Sequence, residues 1–194
     1  MNSILCGLMY AALAFAQPDP DAKPVADGTV GAPLPNWFPA HIAYLTGEGG
    51  VWQADNAAYR TAGEPFNAYR VEFTPVFDGW GYSGRLYGLQ DGSESPDFWH
   101  FRGYWNAADN VAALDQWGWG GAVGRGEVEP MGDAAEPGSV RVTQVFAAPG
   151  VPMRREGHDF LVIDAQTHET QAYTIHEDGS RTANRTYTWH RITE

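Results

Sequence analysis

The chain predicts an all-β fold: a single antiparallel up-and-down β-barrel of about ten strands, with a short N-terminal helix closing one end. Three observations predict it. Turn signals recur at Asp78-Gly79, Asp91-Gly92, Asp109-Asn110, Gly120-Gly121, Gly132-Asp133, Pro149-Gly150, Ala165 to His168 and Asp178-Gly179, eleven to eighteen residues apart. The intervals are rich in Val, Tyr, Phe, Trp and Thr, and each has room for one strand and a tight connection but no crossover helix. A meander of that length has two edges to protect, and closing on itself removes both.

The 194 residues suffice for one domain that buries about two-thirds of its unfolded surface. Residues 1–16 carry no charged side chain and end Ala14-Phe15-Ala16, which predicts an export signal and a periplasmic or secreted protein. That apolar run is too short to span a bilayer. Cys6, the single cysteine, lies inside it, so a chain starting at Gln17 has no thiol for a disulfide or a thiolate ligand. Residues 17–36 hold five prolines with Asp19, Asp21 and Asp27 and predict a disordered tether. Residues 37–194 then form the barrel domain with its leading helix.

In that helix Asn36 suits the N-cap, Pro39 the first turn and Gly47 the end, while Phe38, Ile42 and Leu45 share one face. Strands are predicted over 50–58, 68–77, 81–89, 97–106, 111–119, 122–130, 139–147, 154–163, 169–177 and 182–192. Tyr69, Val71 and Phe73 alternate with Arg70, Glu72 and Thr74, so that strand has a wet side. The segment from Phe98 to Trp105 carries aromatics on both faces, which predicts that more than solvent covers it, either the helix or a partner. Glycines within strands, among them Gly84, Gly88, Gly103, Gly118, Gly124 and Gly126, predict the kinks by which a closed sheet turns its corners.

A net charge of −12 without a clustered basic stretch beyond Arg154-Arg155 excludes nucleic acid and anionic lipid surfaces as partners. Single arginines among aromatics are a different signal, because a guanidinium stays charged when half-buried and grips a carboxylate bidentately. No G-x-S-x-G elbow, phosphate-cradling glycine loop or Cys/His cluster is present, so no metal site is predicted and no catalytic residue stands out.

Gly50-Val51-Trp52, just after the helix, resembles the G-x-W signature of the calycin barrels, the group of lipocalins and fatty-acid-binding proteins. The resemblance implies that Trp52 packs across the closed end against an arginine of the last strand, Arg185 or Arg191, with Arg191 taken as its structural partner. Arg185-Thr186-Tyr187 resembles the R-x-Y pair that fatty-acid-binding proteins use to hold a carboxylate. The helix and Gly47 to Trp52 also resemble the opening of nitrobindin-type haem barrels and of bacterial lipocalin-like domains. That resemblance implies haem as an alternative cofactor, with His190 as its ligand; otherwise no cofactor is expected.

The expected function is therefore an exported binding protein that holds a small apolar or amphipathic, fatty-acid-like molecule in the barrel. Arg185 and Tyr187 are its candidate anion contacts, with Tyr69, Phe73, Trp99 and Trp117 as further lining residues. An enzyme of isomerase or cyclase type using the same cavity is the alternative.

Overall fold

The computed structural model describes residues 33–132 and 138–193. The predicted export signal and nearly all of the predicted tether lie outside the described residues. The helix α1 (Trp37–Thr46) leads into β1 (Val51–Asp55), followed by β2 (Ala68–Val76), β3 (Gly81–Gln90), the two-residue β4 (Ser93–Glu94), β5 (Trp99–Asn106) and β6 (Val111–Gly118). β7 (Ala122–Pro130), β8 (Val140–Ala148), β9 (Val151–Asp164), β10 (Thr167–Ile175) and β11 (Arg181–Arg191) complete the chain.

Ten of these strands form one closed antiparallel ring, each paired with its sequence neighbour, and β11 returns to β1. The closing register sets Trp52 opposite Arg191 and Ala54 opposite Trp189. β4, which the sequence did not announce, pairs only with the end of β3. The link between them is a two-residue turn at Asp91 and Gly92, both at positive φ, which is what an Asp-Gly pair supplies to a tight hairpin.

Alternation sorts the side chains. Trp52 and Ala54, Val71, Leu114, Val128, Val140 and Val142, Phe160 and Trp189 point into one core, which is finished by Phe38, Ile42, Tyr44 and Leu45 of the helix. Asn36 makes no side-chain cap, and Phe38, His41, Ile42 and Leu45 are all buried. Packing against the barrel end holds the helix in place of a cap. Its C-terminal carbonyls find donors in the barrel: Trp52 Nε1 donates to Leu45 O at 2.9 Å, and Arg191 donates to the carbonyls of Tyr44 and Gly47.

Several strand glycines make room for a ring of the neighbouring strand. Gly84 pairs with Phe101, Gly103 with Tyr82, Gly118 with Trp99, Gly124 with Phe146 and Gly157 with Tyr173. In each case the partner's ring lies where a Cβ would stand, within 2.2–2.7 Å of it. The aromatic covers the bare backbone and fills the space a side chain would occupy, a recurring device of curved sheets. Over β5, Trp99, Phe101 and Trp105 turn inward, the Trp105 ring 6.0 Å from that of Phe38 of the helix, while outside Tyr104 lies under the Arg102 guanidinium.

Candidate functional site

The barrel holds a cavity of about 350 Å³. Its walls are mainly apolar, with Phe73, Phe101, Leu114 and Val142 at mid-height. His41, Leu45, Phe160 and His168 close it toward the helix, and Trp99, Gln116, Phe146 and Glu156 line the far end.

Three histidines face this space. His41 comes from α1, His158 from β9 and His168 from β10. Phe160 sits between two of them, its ring centroid 5.2 Å from that of His41 and 4.0 Å from that of His168, onto which it stacks. On its other side His168 meets Trp52 edge-on at 4.4 Å. Burial is the main cause that pushes all three below the ordinary histidine value. His41 falls to about 4, with help from the neighbouring His158. His158 falls to about 4 although Asp159 pulls it upward. His168 falls to about 2, lowered further by His41, Arg191, His158 and His190. All three imidazoles are thus neutral at neutral pH. They do not form a ligand set: among the described residues no group of three His, Cys, Asp or Glu side chains is placed to hold a metal ion.

The far end carries a separate polar network. Arg185 and Tyr187 share the inward face of β11, as their spacing of two requires, but neither lines the cavity. Both guanidinium nitrogens of Arg185 donate to Glu64, which also accepts the Tyr69 hydroxyl, while the Tyr187 hydroxyl donates to Asn56 Oδ1 at 3.0 Å. Arg185 holds the Glu64 carboxyl below its ordinary value, so the pair is charged and mutually satisfied. The anion grip expected of Arg185 and Tyr187 is already filled by the chain's own carboxylate. Glu64 lies in the segment between β1 and β2, where nothing in the local pattern marked it.

Of the other expected lining residues, Phe73 and Trp99 reach the cavity and Tyr69 belongs to the Glu64 network. Trp117 is on the outer face, 47% exposed, with its ring stacked on His100. His190 is also exposed on the outer face, one residue out of phase with Trp189, so it cannot ligate a haem held inside. The expected Trp52 partner is Arg191, whose Cζ lies 4.0 Å from the ring centroid. His41 and His168 were passed over, the first because it sits inside an apolar helix stripe and the second because it was assigned to a turn. The turn is only Ala165-Gln166, and β10 is under way at Thr167.

No protein-family model matches the chain, and no curated protein matches it in sequence.

Proposed function

We propose that the protein is an exported barrel of calycin type that binds one small, largely apolar molecule in its central cavity. The observation that carries this is the cavity itself, about 350 Å³ of mainly aliphatic and aromatic wall with a few polar side chains. Export rests on residues 1–16, and the calycin type on the helix, Gly50-Val51-Trp52 and the arginine packed on that tryptophan. An enzyme using the same cavity is the alternative reading, and its ionisable groups would be Glu156 and the three neutral imidazoles that line the space.

The test is to purify the full chain, extract and weigh any retained small molecule, and titrate the protein with a fluorescent apolar dye. Saturable binding of one dye per chain, displaced by the extracted molecule or by a short-chain apolar compound, is the expected result. A colourless protein that retains nothing and leaves the dye unbound would remove the binding role. A Soret absorption band would replace it with the haem alternative.

A further inference from the structure

We infer, resting on the binding role proposed above, that the cavity takes an uncharged guest with an oxygen acceptor, such as a ketone, ester or alcohol, whose oxygen seats at the helix end on Nε2 of His41 and His168. Both rings line that end of the cavity and flank Phe160. His41 is 3% exposed and His168 1%, and each keeps its Nδ1 sealed in the packing without a hydrogen-bond partner among the described residues.

A neutral imidazole has one N–H and one lone pair. A buried N–H without an acceptor is the rarer and costlier orphan, so the proton belongs on Nε2 rather than on the sealed Nδ1. Nε2 is then the one polar atom through which either ring can meet a guest, and it meets it as a donor. Tyr82 lines the same cavity, its ring 6.4 Å from that of His41. The helix end of an apolar chamber therefore offers donors to an oxygen.

Charge excludes the ionic versions of that oxygen. The nearest guanidinium, Arg191, is spent on the carbonyls of Tyr44, Gly47 and Ala165, and Arg185 is spent on Glu64. A carboxylate would arrive without a counterion in a place where burying a bare charge is prohibitive, and the imidazoles are too deeply desolvated to supply one. An ammonium fares no better, since the lining carboxylate, Glu156, is at the opposite end.

Three guests of matched length separate these terms: methyl hexyl ketone, octane and octanoate, each displacing the fluorescent dye from the full chain at roughly pH 8, where the acid is ionised. The ketone should bind about tenfold more tightly than octane, the gain of one or two net hydrogen bonds, and octanoate more weakly than both. His41→Leu and His168→Phe should each cut ketone affinity and leave that of octane in place. Because His168 is packed in the core and a change there puts folding at risk, nitrogen NMR of the wild-type rings gives a second reading. It should show Nε2-protonated tautomers whose signals move when the ketone, but not octane, is added. Octanoate binding as well as the ketone, or Nδ1-protonated rings, overturns the inference while leaving a binding protein. Failure of all three guests and of the dye overturns the binding role itself.

Discussion

Arg191 lies over the indole of Trp52, 4.0 Å from the ring centroid, and reaches past it to the carbonyls of Tyr44 and Gly47 at the end of α1. One side chain thereby joins the last strand, the first strand and the helix that plugs the barrel. The guanidinium does three things at once: it faces an aromatic ring, satisfies carbonyls the helix leaves open, and places a cation at the negative end of the helix dipole. Lysine keeps the charge but has no planar fork. Arg191→Lys should cost roughly 1–3 kcal/mol of stability in urea unfolding, with hydrogen exchange in α1 accelerating first. Unchanged protection in the helix would show that the plug is held by its apolar face alone.

The Arg185 to Glu64 pair leads to a second expectation. Because Glu64 already occupies the guanidinium, Arg185→Ala should leave affinity for an apolar dye unchanged within error. The pair is partly exposed, at 39% and 23%, so its loss should cost no more than about 1 kcal/mol. A large fall in dye affinity would return Arg185 to the binding site and place Glu64 as a displaceable occupant.

Gly103 should tolerate no side chain. A Cβ there would stand 2.2 Å from Cζ of the Tyr82 ring, and Tyr82 is itself buried and lines the cavity. Gly103→Ala must push the ring inward or part β3 from β5. Thermal unfolding should drop by several degrees, the usual result of about 1–3 kcal/mol of overpacking. Gly103→Ala with Tyr82→Ala should be less damaging than the sum of the two single changes, since without the ring the added methyl meets no clash. Strict additivity would mean that the ring does not depend on the glycine.

The strand rhythm was legible because its physics is local. Val, Thr and aromatic runs between Asp-Gly and Gly-Gly turns need no distant partner to be recognised, and ten predicted strands correspond to the ten of the ring. Trp52 was legible as well, through a resemblance that pointed to an arginine of the last strand, and the structure selects Arg191 over Arg185. The candidate site was largely illegible, because a cavity is made by residues far apart in sequence. His41 has the spacing of a core residue beside Phe38 and Leu45, and only the barrel end brings it near Phe160 of β9. Glu64 neutralises an arginine 121 residues away, a pairing no local pattern encodes. The strand glycines were visible, but the rings over Gly84, Gly103, Gly118 and Gly124 come from neighbouring strands and were not.

The three cavity-facing histidines make stability depend steeply on mild acid. In the unfolded chain His41, His158 and His168 titrate near their ordinary value of 6.5, whereas in the barrel they reach about 4, about 4 and about 2. Between those limits the unfolded chain binds protons that the folded one refuses, so the contribution is complete above about pH 6.5 and is lost as pH falls. Each histidine contributes a slope of about 1.4 kcal/mol per pH unit, and three together about 4 near pH 5. The groups around them do not reverse the sign: His41 is lowered by His158, His168 by Arg191 and His190, and only Asp159 beside His158 pulls upward. The carboxyls of Glu64, Glu72 and Asp159, lowered by their arginines, act in the same direction at still lower pH. Urea unfolding at pH 8, 7, 6 and 5 should therefore show a plateau and then a fall comparable to the whole stability of a small domain, about 5–15 kcal/mol, before about pH 4. His158→Asn, which keeps a neutral polar side chain facing the cavity, should lower the proton uptake on unfolding at pH 5 by about one. A stability profile that stays flat from pH 7 to 5 would mean that the imidazoles exchange protons freely in the folded state and are not sealed inside the barrel.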